Sequence, residues 1–217
     1  MKYKCLVFDH DDTTVKSTET IHHPCFQKYL SIYHPDQTCS LEKYFCNVFH
    51  PGLIPFFKEE YGMTDEERKR ESAFWLAYVE EHIPEAYEGI REIMLRHKAE
   101  GGLLCVISHS LEKNILRDYQ ANALPEPDVV YGWSQPEALR KPNSYPLRQI
   151  MLNFDLKPEE ILMIDDLKPG LVMAKACGVD FAAAGWANDI AQIELAMREN
   201  ADFYFKTVGE LDRFLNT

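Results

Sequence analysis

Two apolar runs in this chain end abruptly in carboxylates. Lys4 to Phe8 leads into Asp9-His10-Asp11-Asp12-Thr13, and Ile161 to Ile164 leads into Asp165-Asp166-Leu167-Lys168-Pro169-Gly170. Carboxylates this crowded repel one another, so each cluster calls for a cation among them, a raised pKa, or both. Hard oxygen ligands suit Mg²⁺, which takes one or two carboxylates and completes its shell with water and phosphate oxygens. Two further segments carry groups for an anion. Leu104 to Ile107 stops at Ser108-His109-Ser110, and Arg140-Lys141-Pro142-Asn143 stands just before a helical run. A strand-end hydroxyl and a lysine point charge can each meet an anionic oxygen. Taken singly, each also has a plain structural reading: Ser110 fits the N-cap of the next helix, and His109 and Lys141 fit solvated loop positions.

The elements that must position these residues are legible as alternation. Short apolar runs at Lys4 to Phe8, Leu103 to Ile107, Val129 to Tyr131, Ile161 to Ile164, Phe181 to Ala184 and Phe203 to Phe205 read as buried strands. Between them, Gly89 to Glu100, Leu111 to Ala121, Ser144 to Phe154, Gly170 to Cys177 and Asn188 to Glu199 carry apolar residues at three- and four-residue spacing. This pattern predicts an α/β fold with a doubly wound, Rossmann-like parallel sheet, in which ligands bind beyond the carboxyl ends of the strands. The stretch from Val15 to Glu85 breaks the alternation. It holds helix-like segments at Ile21 to Ile32 and Thr64 to Ile83 around a Pro- and aromatic-rich piece, Tyr44 to Tyr61. The expected organisation is therefore a catalytic core of residues 1–14 and 86–217 with a helical cap inserted at 15–85.

Composition narrows the function classes. The 217 residues carry 23 Lys plus Arg against 35 Asp plus Glu, a formal charge of −12 that disfavours nucleic acid and anionic membranes as partners. A small phosphorylated substrate stays open, because a bound divalent cation reverses the local potential. Neither a long apolar span nor a basic-then-apolar leader is visible, so the expectation is a soluble, cytoplasmic protein. The cysteines Cys5, Cys25, Cys39, Cys46, Cys105 and Cys177 form no metal or disulfide pattern and read as reduced thiols.

In order along the chain, these pieces resemble the haloacid dehalogenase superfamily, in its branch of phosphoglycolate phosphatases and β-phosphoglucomutases. Asp9, Asp11 and Thr13 match the first motif, Ser108 the second, Lys141 the third, and Asp165 with Asp166 the fourth, and the 99 positions from Asp9 to Ser108 match members with a cap inserted after the first motif. The resemblance implies a phosphatase with an aspartyl-phosphate intermediate, Asp9 as nucleophile and Asp11 as general acid and base. Mg²⁺ would be held by Asp9, a carbonyl of Asp11, Asp166 and Asp165. Thr13, Ser108, His109 and Lys141 would meet the phosphate of a small phosphorylated metabolite. Alternatives within the same resemblance are a sugar phosphomutase, a phosphonatase needing a cap lysine, and a catalytically silent relative. Dehalogenation has no use for a metal site or for Asp11. Departures are Asp12 where Gly is usual, Lys16-Ser17 in the hinge, and His109 where Asn is usual; they leave the substrate open, as does the aromatic stretch from Tyr44 to Phe57, which suits either a substrate loop or the cap's own core.

Overall fold

The structure is a computed structural model that describes residues 2–217. The chain divides into two units, Met1–Lys16 with Glu85–Thr217, and Ser17–Pro84.

The second unit is helical. A π-helical turn at Thr18–His22 runs into α1 (His23–Tyr33), followed by α2 (Leu41–Phe49), α3 (Leu53–Tyr61) and α4 (Asp65–Glu81). Pro51 and Gly52 divide the aromatic-rich piece into two helices. Its rings mostly face inward: Phe26, Tyr29, Tyr44, Phe56, Phe57 and Tyr61 belong to one buried cluster. Phe26 stacks on Phe57 at 4.8 Å between centroids and meets Tyr61 edge-on at 5.1 Å, the offset and T-shaped arrangements that ring quadrupoles favour. Of the two readings of the stretch, these residues take the core one.

One carboxylate stands apart in this unit. Glu71 on α4 is buried, and its pKa is pushed up to about 7 by burial, with the His22 charge pulling it partly back. Because the folded value lies above the ordinary glutamate range, the stabilisation from a neutral Glu71 is fully present below about pH 4.5 and is lost as pH rises through about 7. That shift corresponds to about 3 kcal/mol. Glu71→Gln should therefore raise the denaturant midpoint of the helical unit at pH 8 and leave it nearly unchanged at pH 4. An equal gain at both values would contradict the assignment.

The first unit alternates strand and helix: β1 (Cys5–Phe8), α5 (Ile90–Ala99), β2 (Leu103–Ile107), α6 (Glu112–Ala121), β3 (Val129–Tyr131), α7 (Tyr145–Phe154), β4 (Ile161–Asp165), α8 (Lys168–Cys177), β5 (Asp180–Ala184), α9 (Ala191–Asn200), β6 (Phe203–Phe205) and α10 (Val208–Leu215). All strand pairs are parallel, in the order β3-β2-β1-β4-β5-β6. This is the doubly wound sheet expected from the alternation. Strands buried on both faces need unbroken apolar sequence, and every residue of β1 and the run Leu104 to Ile107 of β2 are buried. The order reverses between β1 and β4, which places the crevice at the carboxyl ends of those two strands. Phe8 pairs with Val106 on one side and Ile164 on the other, so the residues that follow emerge at one level.

Among the described residues, no helix is long and apolar enough to cross a membrane. The six cysteines are free, and Cys5 and Cys105 bring their sulfurs to 3.6 Å inside the sheet.

Candidate active site

The loop after β1 is held by its own backbone. Asp9 N–H donates to the Ile164 carbonyl at 2.8 Å, extending the ladder one residue beyond the strand. The His10 carbonyl accepts from Thr14 at 2.9 Å and Val15 at 3.1 Å, and Asp12 N–H donates to Val15 at 2.8 Å. This tight turn puts Asp12 at φ 55°, the left-handed region where glycine is cheapest and Asp is tolerated better than most residues. The Thr14 hydroxyl donates to the Asp9 carbonyl at 2.7 Å.

Around this loop the sheet gathers charge. Asp9, Asp165 and Asp166 each offer a carboxylate oxygen, and these oxygens lie within 4.8 Å of one another, all three residues buried. Lys141 reaches in from the loop before α7, its ammonium 2.7 Å from Asp9 Oδ1 and 2.8 Å from Asp165 Oδ2. Burial alone would lower the Lys141 pKa; the charges of Asp165 and Asp9 outweigh it and hold the ammonium protonated. One cation does not balance three carboxylates, and the pKa values of two of them are shifted upward. Burial first, with Asp9 adding and Lys141 opposing, pushes Asp165 up to about 7. Burial, then the charges of Asp12, Asp165 and Asp9, push Asp166 well above the usual carboxylate range.

The cluster fits a divalent cation. Its donors are hard oxygens, its charge exceeds what Lys141 neutralises, and Asp9 Oδ1, although in ion contact with Lys141, has no aligned hydrogen bond. Surrounding bonds aim the ligands. Thr13 donates to Asp166 Oδ1 at 3.2 Å, and Leu167 N–H donates to Asp165 Oδ1 at 2.8 Å. Gly170, in the first turn of α8, lets that helix close on Asp165: a Cβ there would meet Asp165 Oδ2 at 2.2 Å.

Asp9, Asp165, Asp166 and Lys141 thus come together directly. The carboxylate of Asp11 stands outside the three-carboxylate group and accepts from Ser110 Oγ at 2.5 Å. Ser108 lies buried at the end of β2, its hydroxyl accepting from Ser110 N–H at 3.1 Å. Thr13 and His109, the other two residues expected to meet phosphate, each contact a neighbour in the site. The fully buried Thr13 hydroxyl serves Asp166. His109 Nε2 lies 2.8 Å from the Lys141 carbonyl, which can only accept, so Nε2 carries the proton. Burial, then the nearby Lys141 charge, keep the His109 pKa below its ordinary value. Both residues act on their neighbours in this arrangement: Thr13 aims Asp166, and His109 braces the backbone of Lys141.

Sequence reading missed two participants. Ser110 was expected to cap α6, but the capping position falls on Leu111 and the Ser110 hydroxyl goes to Asp11. Trp186, after β5, donates from Nε1 to the Thr13 carbonyl at 3.1 Å, a contact across 173 positions that no local pattern announces.

Comparison with known proteins places this geometry. A family model described as haloacid dehalogenase-like hydrolase matches residues 6–184. The pyrophosphatase PpaX of Bacillus cereus is similar at 26% identity over 191 residues, covering 86% of this chain and 85% of that protein. Among solved structures, a predicted phosphoglycolate phosphatase from Haemophilus somnus shares the fold at a TM-score of 0.77 and 18% identity, covering 99% of each chain. CbbY from Rhodobacter sphaeroides, in complex with phosphate, does so at a TM-score of 0.70 and 19% identity, covering 96% of each.

Proposed function

Because the chain belongs to the haloacid dehalogenase-like hydrolase family, we propose that it is a Mg²⁺-dependent phosphatase of small phosphorylated metabolites that works through an aspartyl-phosphate on Asp9. The observation that carries this reading is the buried Lys141 ammonium shared between Asp9 and Asp165, beside a cluster of carboxylates. Such a centre is built for a substrate that is itself an anion and arrives with a cation. The class of substrate is supported by relatives: one is named a pyrophosphatase, and CbbY was crystallised with phosphate and with xylulose-1,5-bisphosphate.

Asp9 attacks phosphorus, and the leaving oxygen takes a proton from Asp11. Water then attacks the phosphorus of the acyl phosphate with Asp11 as base, which releases phosphate, restores the Asp9 carboxylate and returns the proton to Asp11. Ser110 holds Asp11 outside the carboxylate cluster, where it is available as an acid rather than as a ligand. Lys141 offsets the repulsion between Asp9 and the incoming phosphoryl oxygens, and the Ser108 hydroxyl, at the end of β2, would donate to one of them. Asp9, Asp165, Asp166 and the Asp11 carbonyl would hold Mg²⁺, whose contribution is charge neutralisation and orientation of the phosphoryl group. The unit Ser17–Pro84 would be the family's cap, with Tyr44, Phe56 and Phe57 forming its core rather than facing a ligand.

A panel of sugar phosphates, phosphoglycolate and pyrophosphate assayed with Mg²⁺ tests the reading; no phosphate release from any of them would sink it. Excess chelator should abolish turnover, and added Mg²⁺ should restore it. Ca²⁺ should inhibit, since its larger and looser coordination spoils in-line geometry. Undiminished activity in chelator would refute the metal assignment.

A further inference from the structure

Between the two acidic residues of the first loop stands a histidine whose side chain takes no part in the chemistry above. His10 is 1% exposed, and its Nε2 lies 3.0 Å from Oδ2 of Asp118 on α6, itself 3% exposed. Three successive side chains thus go to three different partners: Asp9 to Lys141, His10 to Asp118, and Asp11 to Ser110. His10 Nδ1 is buried without a hydrogen bond, so the imidazole makes a single polar attachment, and that attachment is to α6. The ring lies against Tyr119, centroids 6.1 Å apart and planes 28° from parallel, which fixes its rotation.

Asp118 is itself anchored. Its Oδ1 accepts from Arg117 Nε at 2.8 Å, and its carbonyl accepts from Asn122 Nδ2 at 2.8 Å. The Asn122 side-chain oxygen in turn accepts from Ala86 N–H at 2.8 Å, and Ala86 bridges to Val15 while Tyr87 N–H donates to the Thr14 carbonyl at 3.1 Å. A polar chain therefore runs from His10 through α6 to the returning segment at residues 85–87 and back to the far end of the first loop. Its innermost link, between His10 and Asp118, is buried, and cutting it would leave the Asp118 carboxylate short of a partner.

We infer that His10 and Asp118 are a positioning pair: together they clamp the Asp9–Thr14 loop to α6 and so set the aim of Asp9 and Asp11. The inference rests on the phosphatase reading for its kinetic consequence and on the polar chain alone for its structural one. An apolar residue at position 10 would fill the same space and leave Asp118 only Arg117, whose side chain is 27% exposed. The loop would remain folded but lose its lateral anchor.

The test compares His10→Leu, His10→Gln, Asp118→Leu and the Leu–Leu double variant. Gln carries an N–H near the place of Nε2 and still reaches Asp118; should the Leu variants fail to fold, His10→Asn, too short to reach, replaces them. We expect kcat for His10→Leu to fall by about ten- to a hundredfold, the cost of misplacing catalytic groups by roughly 1 Å. KM should stay within about twofold, since Ser108 and Lys141 lie outside the loop, whereas the Mg²⁺ concentration for half-activation should rise, since Asp9 and the Asp11 carbonyl would hold the metal. Gln should recover most of the loss, and the double variant should be no slower than the worse single one, as residues acting through one contact are non-additive. Amide hydrogen exchange over residues 9–16 and 85–87 should quicken in the Leu variant and not in Gln. A folded His10→Leu, or His10→Asn in its place, with kcat within about twofold of the unaltered protein and unchanged exchange in both segments would overturn the inference, as would lost thermal stability without the kinetic change. If the unaltered protein turns over no phosphate ester, the phosphatase reading alone fails, and the exchange measurement decides the clamp.

Discussion

Asp9→Asn is expected to abolish phosphate release from every substrate by at least about 10⁴-fold, because an amide oxygen is too poor a nucleophile to replace a carboxylate in a two-step displacement. Asp11→Asn should behave differently, and the difference separates its two roles. An aryl phosphate such as p-nitrophenyl phosphate expels a stable phenolate and needs little protonation, so if it is accepted, Asp9 is still phosphorylated. Breakdown then lacks a base, and steady turnover should fall by about 10²- to 10⁴-fold, the usual worth of a general acid or base. The expected trace is a burst near one equivalent of p-nitrophenol followed by a slow phase. With an alkyl phosphate the burst itself should shrink, since the alkoxide leaves badly without an acid. Steady, unaltered turnover of both substrates by Asp11→Asn would contradict the assignment.

The second large effect concerns Lys141. Lys141→Met keeps much of the side chain's volume but removes the buried cation that faces Asp9 and Asp165 at 2.7 and 2.8 Å. Breaking a buried pair from one side leaves uncompensated charge and typically costs about 3–5 kcal/mol. For a chain of this size, each kcal/mol lowers Tm by roughly 2–4 °C. Turnover should fall by about 10²- to 10³-fold, the scale seen when one electrostatic stabiliser is deleted. Lys141→Arg should restore stability better than activity, because a planar guanidinium cannot reproduce a point charge shared by two carboxylates. Scanning calorimetry and phosphate release on the same preparations check both halves; an unchanged Tm in the Met variant would show that the carboxylates are not held as described.

Much of this was legible in the chain itself because of how parallel sheets are made. Strands covered on both faces must be apolar throughout, so β1, β2 and β4 stand out as uninterrupted runs, and the residues that end them are those the crevice needs. Elsewhere the signal was weaker. The segment Tyr44 to Tyr61 reads only as Pro- and aromatic-rich, and the folded cluster around Phe26 shows that Tyr44, Phe56, Phe57 and Tyr61 face inward. Helix α8 begins at Lys168, before the expected Gly170, because Pro169 suits the first turn and Gly170 packs on Asp165. Helix α10 lay outside the sequence expectation, although Thr207 and Glu210 form a capping box that marks its start. The interactions that orient the site are hidden from any local reading. His10 meets Asp118 across 108 positions, Ser110 meets Asp11 across 99, and Trp186 meets Thr13 across 173. Spacing along the chain announces the clustered carboxylates, but not the residues that contact them.

Phosphate is expected to pass through Asp9 on its way to water. Asp11→Asn should accumulate that intermediate, so the decisive measurement is to mix the variant with p-nitrophenyl phosphate and Mg²⁺, quench in acid within the burst, and locate the added phosphate by peptide mass spectrometry. A single phosphorylated residue, Asp9, is expected at close to one equivalent per chain, absent without Mg²⁺ and absent from the Asp9→Asn, Asp11→Asn double variant. Phosphate found on Ser108, on a histidine or on any other residue, or a burst with no phosphorylated protein, would contradict it.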